Sequence, residues 1–453
     1  MESRAIAEFW AGVGGAPEAL SRLRIAGPTQ TLPSPLPVTD LAVAAVASAG
    51  LAAGEFLASR GGSVRNCTVD RRAVATAFTS ERHLRLDGVE VGGWAPLSGF
   101  FRTRDGWVRT HANYPHHESR LLGALGLPSG ADRDALATHL AQRSALDVEE
   151  RVTAAGGLAL AVRTPESWAT SPAGRSAATG SLTETSPGYA AAAGPLVGTG
   201  ADSGAAARGM RVLDLTRVIA GPVATRTLAY LGADVLRVDS PNLPELIPQH
   251  LDTGLGKRST LLDLRSPADR RTFDDLLADA DVVVTGYRAG ALDAFGLDAD
   301  RLRAARPELV VASLTAWGAT GPWRTRRGFD SLVQAASGIA ASTADADGHP
   351  GVLPAQALDH ATGYLLAAAI LRALTRGGGA TIRASLARTA TWLLRAPRSA
   401  GAGAFDANDW LGELNSPYGV VRHALPPFRL DDGPRDWPTG PVTWGSSEPR
   451  WST

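Results

Sequence analysis

The sequence has few of several residue types that carry recognisable chemistry. One of its 453 residues is cysteine, Cys67, which excludes a disulfide within the chain and a metal cluster built on thiolates. Lys257 is the only lysine among the 45 basic residues, so arginine is favoured throughout the chain. A single arginine, or Lys257 itself, is therefore first interpreted as a solvated surface charge.

The chain also lacks an excess of charge of either sign. Lys and Arg together number 45, and Asp and Glu together also number 45, which argues against nucleic acid or an anionic membrane as a partner. The apolar runs are short and rich in alanine, below the roughly 18 residues of a membrane span. Met1 is followed by Glu2, Ser3 and Arg4 rather than by a cationic and apolar leader. We expect a soluble, cytoplasmic protein with more than one domain.

Strand and helix patterns alternate from residue 210 onward. Buried-strand runs are predicted, with helical patterns between them, at 211–215, 233–239, 259–264, 281–285 and 309–314. This alternation is typical of a parallel sheet with helices on both faces. Ligands of such sheets bind at the carboxyl ends of the strands, where the loops here carry glycine, arginine and tyrosine. We predict an α/β protein with a Rossmann-like large domain.

A dinucleotide site is the first candidate to test in this pattern, because Asp239 ends the second strand. The first turn reads Arg217-Val-Ile-Ala-Gly-Pro222 and lacks the G-x-G-x-x-G that a pyrophosphate needs. Pro222 also removes a backbone N–H at the start of the helix. We therefore expect no NAD. The His116-His117 pair matches no metal or nucleophile pattern, so we interpret it as packing and expect no metal.

The remaining chain divides into regions of different composition. Residues 1–80 contain an Ala-rich helix from Asp40 to Ser59, with Asp40 as its N-cap, and a strand near 64–69. A hairpin with Asp105-Gly106 at its turn follows, and then helical patterns and a linker rich in small residues. We predict four regions, which are the N-terminal helices at 1–80, a smaller α+β domain with its linker at 81–200, the large domain at 209–395 and a Pro/Trp-rich tail at 396–453.

A second long apolar helix begins at Asp359. A lone acid in front of an apolar run is usually an N-cap, so capping is the first interpretation of this residue. The segment from Asp359 to Leu386 repeats the order seen from Asp40 to Asp70, namely acid, Ala-rich helix, Arg-Gly-Gly and strand. Asp40 precedes its Arg-Gly-Gly by three more residues than Asp359 does. Because of this offset we do not predict Asp40 as a second active residue.

A collinear series of motifs resembles one enzyme family. The main ones are Val212–Pro222, Leu231–Asp239, Gly256–Ser259, Leu262–Leu264, Trp317–Pro322, Arg327–Asp330 and Asp359–Gly363. Over about 210–394 the chain resembles the family III CoA-transferases of CaiB/BaiF type, which include formyl-CoA:oxalate and carnitine CoA-transferases and α-methylacyl-CoA racemases. Residues 99–196 resemble the small domain of that family more weakly.

The resemblance implies a nucleophile, a substrate and an assembly. In the family, an aspartate at the position of Asp359 attacks the thioester of an acyl-CoA, and the released thiolate then forms an aspartyl-CoA thioester that passes CoA to a carboxylic acid. The family forms interlocked homodimers, so a homodimer is expected. Arg265 and Arg327 would suit the CoA phosphates, and Tyr287 could stack on adenine. CoA is expected along Ile219, Ala220, Ser240, Leu262, Arg265, Gly286, Tyr287, Arg288, Arg327 and Asp330.

Two departures from the family leave alternatives open. The racemases use a histidine in the Gly-x-Asp motif, where this chain has Phe329, so racemisation ranks below transfer. The region that resembles the small domain also precedes the large domain, as if two truncated copies had been fused. The alternative to a CoA-transferase is therefore a non-catalytic CoA-binding homologue or scaffold.

Overall fold

A seven-stranded sheet forms the centre of the computed structural model, which describes residues 2–187, 205–399, 403 and 405–452. The strands are β1 Leu23–Ala26, β2 Cys67–Asp70, β3 Arg85–Leu86, β4 Val89–Glu90, β5 Gly99–Arg102, β6 Trp107–Thr110, β7 Ala159–Ala161, β8 Thr183–Pro187, β9 Arg211–Leu215, β10 Asp234–Asp239, β11 Arg258–Leu261, β12 Val282–Thr285, β13 Val310–Thr315, β14 Ala380–Ser385, β15 Leu411–Ser416, β16 Gly419–Ala424 and β17 Phe428–Leu430. The α-helices are α1 Glu2–Gly12, α2 Val38–Ser59, α3 Arg71–Phe78, α4 Ser80–His83, α5 Pro115–Leu125, α6 Arg133–Ala141, α7 Ala145–Ala154, α8 Pro165–Thr170, α9 Pro172–Ala177, α10 Ala220–Tyr230, α11 Ile247–Thr253, α12 Pro267–Ala278, α13 Ala299–Ala305, α14 Asp330–Ser337, α15 Ile339–Ser342, α16 Ala357–Thr375 and α17 Leu386–Arg395.

The central sheet has the spatial order β11-β10-β9-β12-β13-β14-β8. Its first six strands are parallel, and β8 adds an antiparallel edge beside β14. The prediction of a mixed α/β fold with a parallel sheet is confirmed, and the five predicted strands are β9 to β13. The order runs in opposite directions on the two sides of β9 and β12. A crevice therefore opens at the carboxyl ends of these two strands, which is where open α/β sheets bind ligands.

Three smaller sheets surround the central one. β5, β6 and β7 form an antiparallel sheet whose first turn spans 103–106, as the Asp105-Gly106 pair predicted. β3 pairs with β4 on one side and with β16 of the β15–β16 hairpin on the other, and β17 pairs with β2. The C-terminal region thus supplies strands to sheets that begin within the first 90 residues.

Helices α2 and α16 pack against each other in the core, and most of their side chains are fully buried. The expectation that Asp40 and Asp359 are N-caps is wrong, because Pro37 and Gln356 occupy the cap positions. Each acid is instead the third residue of its helix. The three-residue offset between the repeats arises because α2 has 22 residues and α16 has 19.

Helix α2 also corrects the expectation that the apolar runs are too short for a membrane span. Val38–Ser59 is the one helix among the described residues with the length and apolar composition of a span. Within the most apolar 18-residue stretch of this helix, 89% is buried inside the protein. The apolar composition of α2 is therefore explained by its burial in the protein core, as expected for a helix surrounded by other elements.

Candidate active site

A cavity of about 310 Å³ lies at the carboxyl ends of β9, β12 and β13. Asp359 is the only acidic residue among the described residues that line it. The lining comprises Tyr114, His116, His117, Arg120, Arg217, Val218, Ile219, Ala220, Leu243, Gly286, Tyr287, Arg288, Ala291, Leu314, Thr315, Ala316, Arg326, Arg327, Gly328, Phe329, Asp359 and Leu386. The cavity therefore occupies the crevice that the strand order creates, and the first turn of α16 contributes its carboxylate.

Asp359 is shielded but reachable. Its side chain is 6% exposed, and no described residue donates a hydrogen bond to its carboxylate. Burial raises the pKa of Asp359 well above its ordinary value, and the negative charge of neighbouring Asp330 raises it further. An unpaired carboxylate in a cavity wall can act as a nucleophile once it ionises.

Asp330 holds the start of the helix that carries Asp359. Its Oδ2 accepts hydrogen bonds from the backbone N–H groups of Leu358 at 2.9 Å and Asp359 at 3.0 Å. Gln334 donates to its other oxygen. The Asp330 side chain is fully buried and does not line the cavity. The Asp330 carboxylate is thus engaged at the start of α16, and a CoA contact for this residue stays a prediction.

The turn between β9 and α10 forms another wall and contains a strained residue. Val218 has φ of +71°, a conformation that β-branched residues rarely adopt. Glu245 holds this turn by accepting hydrogen bonds from Val218 N and Arg217 Nη2, both at 3.3 Å. Backbone strain that the surrounding structure maintains is common at functional sites.

Glu245 also ties the small-domain side of the cavity to the sheet. Tyr114 Oη donates to Glu245, and Arg237 Nη2 lies 2.7 Å from its Oε2. Burial alone would raise the pKa of Glu245, but the charges of Arg237 and Arg217 lower it to about 2. Glu245 thus remains ionised through the neutral range and fixes both walls.

Lys257, which is 2% exposed, stabilises the β9–α10 turn. Its Nζ donates to Asp214 at 3.0 Å, to Thr225 at 2.7 Å and to the Pro222 carbonyl at 3.0 Å. Burial lowers the pKa of Lys257 to about 8, although Asp214 favours its charged form. The expectation of a surface charge at Lys257 is wrong.

Arginines make the cavity strongly cationic. Arg217 and Arg326 pair with Glu245 and Glu149, respectively. Arg120, Arg288 and Arg327 have no carboxylate partner among the described residues. Burial and the charges of Arg120 and Arg288 lower the pKa of Arg327. Three unneutralised guanidinium groups close enough to repel one another suit a ligand with several negative charges.

Seven of the predicted site residues line this cavity together. They are Ile219, Ala220, Gly286, Tyr287, Arg288, Arg327 and Asp359. Three others follow β10 and β11 on the same edge of the sheet and lie outside the lining. Ser240 accepts from Asn242, Leu262 is buried in the sheet core, and Arg265 makes a bidentate pair with Asp263. A CoA contact for these three stays a prediction.

One wall of the cavity was missed by sequence reasoning. Tyr114, His116, His117 and Arg120 come from the start of α5, about 200 residues before Arg327 in the chain. The His116-His117 pair was interpreted as packing. Its only sequence signal is its position directly after a predicted hairpin, and that position does not distinguish a site from a core.

Two other features of the described residues lie away from this cavity. A cavity of about 800 Å³ between α1 and α17 contains Asp40 but lies at neither β9 nor β12. Asp345, Asp347 and His349 could place three ligand atoms together, but all three are exposed and the loop's own hydrogen bonds bring them together. The expectation of no metal site stays a prediction.

The chain can be compared with known proteins. Residues 208–405, which include the central sheet strands β9 to β14 and Asp359, match the model of "CoA-transferase family III". This part of the chain, hereafter the family III part, is similar to CoA-transferase family III. The resemblance predicted from the motifs at 210–394 is thereby confirmed.

Curated relatives of the family III part are known as transferases. The chain is 36% identical over 179 residues to the probable fatty acyl-CoA transferase Rv3272 of Mycobacterium tuberculosis, a match covering 37% of this chain and 45% of the relative. It is 33% identical over 200 residues to succinate–glutarate CoA-transferase of Agrobacterium fabrum, covering 39% and 50%. Formyl-CoA:oxalate CoA-transferase of Rhodopseudomonas palustris is 32% identical over 194 residues, covering 39% and 45%. The chain therefore spans about half the length of these relatives.

Solved structures resemble the family III part over similar lengths. A crystal structure of Rv3272 from Mycobacterium tuberculosis is 34% identical, with a TM-score of 0.39 and coverage of 41% of this chain and 56% of that one. A CAIB/BAIF family protein from Brucella suis is 28% identical, with a TM-score of 0.37 and coverage of 47% and 64%.

Proposed function

We propose that the protein is a CoA-transferase that moves CoA between an acyl-CoA and a carboxylic acid through an aspartyl-CoA thioester on Asp359. The observation that carries this proposal is the unpaired Asp359 carboxylate in a cavity that also holds three arginines without carboxylate partners. CoA carries a diphosphate and a further phosphate, so Arg120, Arg288 and Arg327 are suited to its charge. The names of the curated relatives support the same reaction class.

The reaction begins when the ionised Asp359 carboxylate attacks the carbonyl carbon of the thioester. The C–S bond breaks, CoA leaves as its thiolate, and a mixed anhydride joins the acyl group to Asp359. The thiolate then attacks the Asp359 carbonyl carbon and releases the acyl group as a carboxylate. The acceptor acid reverses these steps, which regenerates Asp359 and forms the new thioester.

Covalent labelling tests this reaction directly. The full chain is incubated with a panel of acyl-CoAs, and peptides containing Asp359 are examined by mass spectrometry for a CoA adduct that hydroxylamine removes. We expect an adduct in the wild type, none in Asp359→Asn, and an undiminished amount in Asp40→Asn. Asp40 is a matched control because it is also the third residue of a buried helix and 6% exposed.

The alternative function is a non-catalytic CoA-binding protein. CoA binding by calorimetry without any adduct would favour this alternative, and absence of both would contradict a CoA-linked function. Racemase activity is tested separately by exchange of the α-proton in deuterated water, which we expect to be absent. We also propose a cytoplasmic homodimer, and light scattering of the purified protein tests the assembly.

A further inference from the structure

His117 is a buried histidine in the wall of the Asp359 cavity. It lies on α5, outside residues 208–405, and its side chain is 5% exposed. Its Nδ1 is shielded from solvent and unpaired, and no described residue forms a hydrogen bond to Nε2. A cavity-wall side chain whose nitrogens have no partner among the described residues still has hydrogen-bonding capacity for a ligand.

Aromatic rings hold His117 in place without bonding its nitrogens. The ring centroid of His117 lies 5.5 Å from Tyr114, 4.1 Å from His116, 6.1 Å from His111 and 5.8 Å from Phe329. Phe329 also lines the cavity and comes from the same segment as Arg327. Since Nδ1 is shielded by this packing, Nε2 is the nitrogen available to a ligand in the cavity.

The environment keeps His117 neutral. Burial, together with the charges of the neighbouring histidines and arginines, lowers its pKa to about 3. A neutral imidazole has one N–H donor and one bare nitrogen. It can therefore donate a hydrogen bond to a carbonyl oxygen without giving a proton to Asp359, as neutral histidines do in other enzymes.

Two other neutral donors in the same walls are already engaged. Tyr114 Oη and Val218 N both donate to Glu245. The arginines are charged donors, which suit the phosphates of CoA better than an uncharged thioester. His117 is thus a neutral side-chain donor in the Asp359 cavity with no hydrogen-bond partner of its own among the described residues.

We propose that His117 donates its Nε2–H to the thioester carbonyl oxygen while Asp359 attacks the carbonyl carbon. This role rests on the proposed transferase function. As the Asp359 oxygen bonds to carbon, the C=O π electron pair moves onto the oxygen, where the hydrogen bond stabilises it. When the pair returns, the C–S bond breaks and the thiolate leaves. His117 keeps its proton throughout.

The test measures the rate of adduct formation at Asp359 under single-turnover conditions, with an acyl-CoA that labels the wild type. We expect His117→Phe, which keeps the ring shape but has no N–H, to be slower by about 100- to 1,000-fold, as for loss of an oxyanion donor. His117→Gln restores an N–H near the Nε2 position. We expect this variant to form the adduct at least tenfold faster than His117→Phe does. CoA affinity, measured by calorimetry, should stay within about threefold in both variants, since neither changes an arginine.

The control is His139→Phe on α6, which lies outside the cavity lining and is expected to react as the wild type does. Adduct formation by His117→Phe within about threefold of wild type would overturn this role. Equal losses in His117→Phe and His117→Gln would also overturn it, because they indicate packing rather than donation. If the wild type forms no adduct with any acyl-CoA, the transferase function fails first and this role fails with it.

Discussion

At the scale of single residues, the proposed reaction depends on two opposing requirements at Asp359. A nucleophilic carboxylate has to be ionised, but burial beside Asp330 favours its neutral form. The arginines that line the cavity do not offset this effect, since the pKa of Asp359 is raised well above its ordinary value. Active sites often maintain such unfavourable groups at the expense of stability.

Because burial of the ionised Asp359 carboxylate destabilises the folded protein, we predict that Asp359→Asn stabilises it at neutral pH. A carboxyl group whose pKa is raised by folding contributes stability below its unfolded pKa of about 3.9, and this is lost as pH rises through the folded pKa. Asparagine removes the loss. We expect its melting temperature to exceed that of the wild type by about 1–3 °C at pH 8 and to converge with it near pH 4.

Thermal melts between pH 4 and 8 by differential scanning fluorimetry check this expectation. The exposed Asp347→Asn serves as the control and should change the melting temperature by less than about 1 °C at every pH. If the difference in melting temperature between Asp359→Asn and the wild type does not vary with pH, burial of the Asp359 charge is not the cause of the stabilisation.

The sequence identifies Asp359 as a candidate nucleophile but gives no comparable indication for His117. The motifs before Asp359 occur in a fixed order within one α/β unit, and this order distinguishes the residue from an ordinary helix cap. His117 reaches the cavity only because α5 packs beside Phe329, a contact between residues about 200 positions apart. The sequence also did not predict that Lys257 is buried, because no pattern in the neighbouring residues indicates which groups a single charged residue will contact.

At the scale of elements, the start of α16 depends on a residue of α14. Asp330 accepts two N–H groups in the first turn of α16 and so fixes the position of Asp359. It also contributes the charge that raises the pKa of Asp359. The position and the acidity of the proposed nucleophile are therefore set by the same carboxylate.

Two substitutions of Asp330 should separate these effects. Asp330→Asn keeps an acceptor but removes the charge, so the pKa of Asp359 falls and the pH–rate profile for adduct formation moves to lower pH. Asp330→Ala leaves the N–H groups unpaired and should lower the free energy of unfolding by about 1–3 kcal/mol. Urea denaturation and the pH–rate profile measure the two outcomes.

The surface cap Asp298, which accepts from Arg301 N at 3.0 Å, provides the comparison. Asp298→Ala should lower the free energy of unfolding by about 1 kcal/mol and leave the pH–rate profile unchanged. A profile that stays in place for Asp330→Asn would contradict the electrostatic coupling.

Gly363 of the Asp359–Gly363 motif is explained by the approach of α16 to α10. A Cβ at this position would lie 2.4 Å from the Ala220 carbonyl oxygen and 2.9 Å from Val223 Cβ. Although alanine favours helices, this clash should dominate, so Gly363→Ala is expected to cost about 1–2 kcal/mol of stability. It should also slow adduct formation because Ala220 lines the cavity.

Gly123→Ala on α5 is the matched control for Gly363. No atom lies within 4 Å of the Cβ that it would add. We expect the free energy of unfolding of this variant, measured by urea denaturation, to equal that of the wild type or to exceed it by up to about 1 kcal/mol. A Gly363→Ala protein as stable as Gly123→Ala would mean that the two helices separate at little cost.

Elements with strong periodicity were predicted well, and those that form through distant pairing were not. The alternation between 211 and 314 predicted β9 to β13, because buried parallel strands are continuous apolar runs. The Pro/Trp-rich tail carries no such signal. Its strands β15, β16 and β17 form on edges that β2 and β3 supply.

At the scale of the whole molecule, one core joins the beginning of the chain to the family III part. Residues of α2, including Leu41 and Phe56, belong to the same buried cluster as Leu365 and Ile370 of α16. Phe78 stacks on His360 and Tyr364 of α16. The predicted regions 1–80 and 209–395 therefore share a core, and the division of the chain into four regions stays a prediction.

This shared core predicts that residues 209–399 are not stable alone. Without α2, the buried apolar face of α16 would be exposed to water. We expect the fragment to bind an apolar dye and to self-associate in light scattering, while the full chain does neither. Addition of residues 2–187 as a separate chain should reverse both effects. A monomeric fragment with cooperative unfolding would contradict this view of the core.

The strands that the C-terminal region adds to β2 and β3 bear on how the protein is made. During synthesis, the ribosome releases the first 90 residues long before 411–430 emerge to complete their sheets. The open edges of β2 and β3 must therefore remain unpaired while more than 300 residues are added, and exposed edges invite association with other chains. Chaperone dependence is accordingly expected to fall on the N-terminal part of the nascent chain.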